Sequence, residues 1–163
     1  MNALHYKEIF RLIKDDKLWL GESIHSGDRE FGVPDHYPLQ AAGYRIDANG
    51  KKYIRVKGVR WFTNMDNKKR HEEITLFRRY KQNPALYPKY DNYDAIEVSR
   101  VADIPEDYDG VMGVPITFLD KYNPKQFEIL GIANSARYIG YECLTVINGQ
   151  RVYNRIIVKR KKP

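Results

Sequence analysis

The stretch DKYNPKQFEILG, Asp120 to Gly131, is the first place where residue types and spacing could do chemistry. Enzymes that methylate an exocyclic amine hold it with an Asn-Pro-Pro-aromatic run, in which a rigid turn aims carbonyl oxygens at the amine and the aromatic stacks on the base. Here Asn123-Pro124 lacks the second proline, and Lys125 and Gln126 separate it from Phe127. Asparagine is also a strong helix N-cap, and proline is favoured at the first helical position because its missing N–H would be unpaired there. The pair therefore predicts one or two helical turns over KQFEIL, with Phe127 and Leu130 on one face and Gly131 as the stop. A second pair, Asn83-Pro84, is followed by Ala and Leu and has no aromatic to stack.

Other catalytic constellations are not met. GVMG lacks the spacing of a phosphate-binding loop and lies among acidic residues. His5, His25, His36 and His71 show no metal-ligand spacing, and the single cysteine, Cys143, removes any Cys-rich zinc site. His25, Asp28, Glu30, Asp35 and His36 crowd one loop, which reads as a solvated surface. A restriction-nuclease core would need Glu-x-Lys or Gln-x-Lys on a strand, and neither occurs. No metal and no catalytic residue is assigned.

Recognition remains. The formal charge is +7, which favours anionic partners, nucleic acid first among them. Basic residues gather in Lys51–Arg60, Asn67–Glu73, Arg78–Lys81 and the tail KRKKP, whereas Asp91–Gly110 is acidic almost throughout. The chain is expected to carry one basic face and one acidic face. In RVKGVRWFTNMDNKKRHEE, basic side chains alternate with aromatics on a strand that runs into a basic turn. Arg60, Lys68, Lys69 and Arg70 could neutralise phosphates, and the Asn64 amide could pair with adenine. For Lys68, Lys69 and Arg70 a plain solvated turn is an equal reading. Trp61 is expected in the core.

The elements that would position these residues follow from periodicity. LHYKEIFRLIKD puts Tyr6, Ile9, Phe10 and Ile13 on one helical stripe, and LWLG reads as a buried strand. Ser23 to Gly43 has no clear period and is taken as a long loop. YRIDANGKKYIRV is a hairpin around Asn49-Gly50, in which Ile54 and Val56 alternate with Arg55 and Lys57. The phase flips after Gly58, which marks a bulge or bend. EEITLFRRY fits either strand or helix, and the period of two in Ile74, Leu76 and Tyr80 favours strand. DAIEVSRV and GVPITFL read as strands, and CLTVINGQRVYNRIIVKR as a second Asn-Gly hairpin. The expected class is α+β, or a mixed α/β sheet with hairpins. A hydrophobic fraction of 42% and 13 tyrosines argue against disorder. Without a bilayer-length apolar run or a disulfide framework, a soluble, cytoplasmic protein without membrane association is expected.

VRWFTNMDNKKRHEE, YPKYDNYDAIEV and DYDGVMGVPITFLDKYNPKQFEILG closely resemble the carboxy-terminal part of the EcoRI-like family of adenine-specific DNA methyltransferases. YKEIFRLIKDDKLWLGESIHSGDREFGVP is similar to the segment that precedes it there, so the likeness covers nearly the whole chain. The resemblance implies methyl transfer from S-adenosylmethionine to adenine N6 in double-stranded DNA of a specific sequence, as in restriction-modification. The family's glycine-rich cofactor loop and its Asn-Pro-Pro-Phe motif lie upstream of this part, and this sequence has neither. Residues 1–64, with the long loop 23–43, would then be late strands and a helix of a methyltransferase-type sheet, and 65–163 a hairpin-rich recognition part. The loop SIHSGDREFGVP would lie over a flipped base, which makes His25, Ser26, Asp28 and Arg29 candidates for DNA contact beside Arg60, Asn64, Lys68, Lys69, Arg70, Lys159 and Arg160. Alone, the chain is expected neither to bind S-adenosylmethionine nor to methylate. Its expected partners are DNA and either an upstream cofactor-binding half or a second copy. The alternative is a non-enzymatic DNA-binding module derived from the same family.

Overall fold

The computed structural model describes the chain except residues 1–3, 5, 24–26, 40–42, 134–144 and 162–163. The class is α+β, with one α-helix and several small sheets among the described residues. The chain divides into two compact units, Leu20–Thr63 and the remainder, Met1–Trp19 with Asn64–Pro163.

The larger unit is built on a four-stranded sheet in the order β6 (Ile96–Glu97), β7 (Val111–Val114), β11 (Arg155–Arg160), β8 (Phe127–Ala133). β6 runs parallel to β7, while β11 is antiparallel to both β7 and β8. Ile156, Ile157 and Val158 are consecutive and all buried. Both faces of this central strand are therefore covered, which is why β11 reads as an unbroken apolar run and not as an alternating one. Helix α1 (Lys7–Lys14) buries Phe10 and Ile13 and packs against β8. Ile9 is half-buried, and Tyr6, at the start of the predicted stripe, is exposed. Gly113 on β7 is required by close approach: a Cβ there would overlap the Tyr90 ring, which lies across the strand.

Three of the strand and helix readings need correction. After Asn123-Pro124 there is one turn and then β8, not a helix. The cap itself forms, with Asn123 Oδ1 accepting from the Lys125 amide at 2.8 Å. The following residues alternate, Phe127 and Ile129 buried and Glu128 exposed, and pairing with β11 outweighs the helical spacing of Phe127 and Leu130. GVPITFL is a strand only as far as Val114. Pro115, with no N–H for the ladder, opens a 3₁₀ turn over Ile116–Lys121, and Phe118 from that turn meets Phe127 edge-on at 5.2 Å. EEITLF forms no strand. Its backbone is paired by a side chain instead: Gln126 accepts from the Ile74 amide and donates to the Ile74 carbonyl, both at 2.8 Å.

The smaller unit is a three-stranded antiparallel sheet in the order β2 (Arg29–Val33), β4 (Lys52–Val56), β3 (Tyr44–Ile46). β2 lies inside Ser23–Gly43, which is therefore not one long loop. The hairpin between β3 and β4 is confirmed, but its turn is a three-residue one. Only Gly50 has positive φ, +80°, and the Asp47 carboxylate accepts from the Asn49 and Lys51 amides at 2.9 Å each. The second Asn-Gly pair takes the tighter form, with positive φ at both Asn148 and Gly149, joining β9 (Val146–Ile147) to β10 (Gln150–Arg151). The bend expected at Gly58 is present, at φ +64° after β4 ends. Trp61 is not in the core but 56% exposed. Its ring lies over Gly21, where a Cβ would stand 2.4 Å from Trp61 Cδ1, so the tryptophan covers backbone at the surface.

Candidate nucleic-acid interface

Strand alternation sorts the smaller sheet into two unlike faces. The registers pair Glu30 with Arg55, Gly32 with Tyr53 and Arg45 with Tyr53. One face therefore carries Glu30, Arg45, Tyr53 and Arg55. The opposite parity puts Arg29, Phe31, Val33, Tyr44, Ile46, Lys52, Ile54 and Val56 on the other face.

The first face is polar and arranged. The Arg45 guanidinium sits 4.3 Å from the Tyr53 ring centroid, and Lys51 Nζ approaches the same ring at 5.7 Å. Arg45 also meets Glu30 at 3.0 Å, and Arg55 meets Asp28 at 3.1 Å. The Arg45 hydrogen bond holds the Glu30 carboxyl below its ordinary pKa, and backbone amides, that of Lys51 first, do the same for Asp47. These pairs are exposed, so each adds little stability in water. Their effect is to set two guanidinium planes and a phenol side by side on one face of the sheet. Such a surface can neutralise phosphates through Arg45, Lys51 and Arg55 and offer stacked planes to a base.

The residues singled out in the sequence fall in different places. His25 and Ser26 lie outside the described residues. Asp28, Arg29 and Arg60 belong to the smaller unit, where Asp28 faces Arg55 and the Arg29 side chain turns back to the Asp28 carbonyl at 2.9 Å. Asn64, Lys68, Lys69, Arg70, Lys159 and Arg160 belong to the larger unit. There Asn67 caps a 3₁₀ turn over Lys68–His71, accepting from the Arg70 amide. Lys68 is exposed, but Arg70 is engaged on both sides: Nη2 meets Asp16 at 2.6 Å, and the guanidinium lies 3.6 Å from the Trp19 ring centroid. His71 meets Asp66 at 2.8 Å, and that hydrogen bond lowers the Asp66 carboxyl pKa. Lys159 is exposed on β11, and Arg160 donates to the Glu106 carbonyl.

Asn123 is buried and spent on structure. Its Nδ2 donates to the carbonyls of His71 and Glu72 at 3.2 and 3.3 Å, which ties the basic turn to the start of β8. The pattern that would have revealed Arg45, Lys51, Tyr53 and Arg55 was in the hairpin all along. Alternation on both sides of Asn49-Gly50 places them on one face. Among the described residues no group of three or more His, Cys, Asp or Glu could hold a metal ion, and no helix is long and apolar enough to cross a membrane.

Comparison with known proteins narrows the reading. The family described as "Adenine-specific methyltransferase EcoRI" matches residues 1–161. Type II methyltransferase M.EcoRI of Escherichia coli is 47% identical over 99% of this chain and 48% of its own length. M.MgeORF184P of Mycoplasma genitalium is 35% identical, over 98% of this chain and 55% of its own length. M.MpnI of Mycoplasma pneumoniae is 34% identical, over 98% and 54%. The chain thus spans about half the length of the curated relatives it matches. No solved structure matches it. With nearly every residue inside the family match, the chain belongs to the EcoRI family of adenine-specific methyltransferases.

Proposed function

We propose that this chain is the carboxy-terminal, DNA-recognition part of a site-specific adenine-N6 DNA methyltransferase, unable to methylate by itself. The observation that carries the reading is the ordered array on one face of the smaller sheet, where Arg45 is stacked on Tyr53 beside Lys51 and Arg55, cations that phosphates would have to take over from Glu30 and Asp28. A three-stranded ribbon with fixed cations suits the phosphates and groove edges of double-stranded DNA. The division expected from the sequence is thereby exchanged: the recognition surface is drawn from the smaller unit, within residues 1–64, and the four-stranded sheet of the larger unit, within 65–163, is taken as the part completed by the rest of the enzyme.

Among the described residues, the three grooves of the larger unit do not suit S-adenosylmethionine. These three open grooves are lined by a mixture of charged, polar and apolar side chains, and none of the three is lined by a glycine. A nucleoside-type cofactor needs backbone it can approach closely. The methyl donor and the clamp on the amine are assigned to the length of the relatives that this chain does not span. This chain's work is to bind the duplex and set its register. A soluble, cytoplasmic protein accords with that role.

The test is a fluorescence-anisotropy titration of the pure chain against duplex DNA at several salt concentrations. Binding should weaken with salt, with a log–log slope near −0.9 per phosphate neutralised. Methylation should appear only when the remaining half of M.EcoRI is supplied. No DNA binding even at low salt would sink the proposal. Binding without restored methylation would favour a non-enzymatic DNA-binding module.

A further inference from the structure

The second face of the smaller sheet carries an inference of its own. Phe31 is 46% exposed, Tyr44 54%, Ile46 51% and Val56 39%, and the register sets them side by side with Ile54 between. An antiparallel sheet ordinarily packs its apolar face on a core and leaves its polar face in water. Here the polar face is furnished with ion pairs, and four apolar side chains of the other face stand exposed. A sheet of three short strands is marginal without something against its apolar side, and a contiguous exposed apolar patch marks an interaction surface.

We propose that this apolar face is the docking surface for the other half of the methyltransferase polypeptide, the length present in the relatives and not spanned here. The inference rests on the reading given under Proposed function and names the surface by which that half is held. Two observations choose the occupant. M.EcoRI, M.MgeORF184P and M.MpnI match nearly all of this chain with only 48%, 55% and 54% of their own lengths, so in each of them a similar sheet is accompanied by about as much chain again. The chemistry of the face also fits protein and not DNA. Phosphates and base edges are polar, so Ile46, Ile54 and Val56 set against them would gain little, and in a paired duplex the base planes on which Phe31 and Tyr44 could stack are covered by neighbouring pairs. The two charged residues of the face, Arg29 and Lys52, are both cationic. The docking segment should therefore be apolar at its centre, with carboxylates toward these two positions.

The experiment co-expresses this chain with the remaining half of M.EcoRI and compares hydroxyl-radical labelling of the wild-type chain alone and in the complex. Labelling at Phe31 and Tyr44 should fall several-fold in the complex. Phe31→Lys and Ile46→Lys should abolish co-purification while DNA binding of the chain alone stays unchanged. Unaltered labelling in the complex, no complex at all, or protection already present in the lone chain would each overturn the proposal. So would protection by DNA alone, or a dimer of this chain that Ile46→Lys dissolves. The labelling readout needs no variant, so a misfolded substitution cannot stand in for an answer. A complex that buries Phe31 yet leaves DNA unmethylated would sink the enzyme reading and leave this one standing.

Discussion

The guanidinium of Arg45 lies over the ring of Tyr53 at 4.3 Å while its Nη2 meets Glu30 at 3.0 Å. A cation fixed from two directions loses little freedom when it meets a phosphate. Arg45→Ala is expected to weaken DNA binding and to reduce the log–log salt slope by roughly one. Tyr53→Leu, which leaves the charge and removes the plane beneath it, should weaken binding with the slope nearly intact. Glu30→Gln should raise affinity a few-fold by removing a competing carboxylate. Anisotropy titrations at several salt concentrations check all three.

Glu97 and Arg155 form a buried ion pair, with Nη2 and Oε1 2.5 Å apart, and Tyr90 donates a hydrogen bond to the same carboxylate. Removing one partner leaves the other charge unpaired in the interior. Glu97→Ala is expected to cost about 3–5 kcal/mol of stability. Urea unfolding of this variant beside a Glu97→Met/Arg155→Met double variant, expected to be less damaged, checks it.

Burial, followed by the Glu97 hydrogen bond, pushes the Tyr90 phenol far above its ordinary pKa, and burial raises Tyr122 as well. A phenol whose folded pKa exceeds its unfolded value of about 10 stabilises the fold fully below that pH and progressively less above it. The folded chain should therefore lose stability as pH rises past about 10. Spectrophotometric titration should show a set of tyrosines, including these two, that ionises only on unfolding. Reversible ionisation of every tyrosine in the folded protein would contradict it.

Arg70 is held between Asp16 and the face of Trp19. Arg70→Ala is expected to destabilise the larger unit by about 1–2 kcal/mol, through the lost cation–π contact and the charge-assisted hydrogen bond. Trp61→Phe leaves Trp19 as the single tryptophan reporter, since the chain has two. In that background the substitution should shift Trp19 emission, and thermal unfolding should report the lost stability.

Local signals carried the parts of the fold that local physics decides. The helix at Lys7–Lys14, both Asn-Gly hairpins and the bend at Gly58 could be read from period and turn chemistry. The segment after Asn123 could not, because the same residues satisfy a helical cap and an alternating strand, and only pairing with β11, a distant part of the chain, decides between them. The surface position of Trp61 is not legible in the sequence, because the ring lies over the backbone of Gly21 and not in an apolar core. The cationic face was half legible. Arg55 and Lys57 alternate with Ile54 and Val56 in the sequence, but joining them to Arg45 requires the hairpin register, and joining Glu30 and Asp28 requires a strand hidden in an aperiodic stretch.

Two neighbouring carboxamides, Asn123 and Gln126, fasten the carbonyls of His71, Glu72 and Ile74, together with the Ile74 amide, to the entrance of β8. A segment with no ladder of its own is thus moored at two pins. Neither pin belongs to the sheet ladder, so the Ile74 amide should exchange with solvent on a faster clock than the sheet behind it. Release of the lysine-rich turn as a unit would in addition require Arg70 to leave Asp16 and Trp19, so the three anchors together decide whether it opens while the scaffold stays closed.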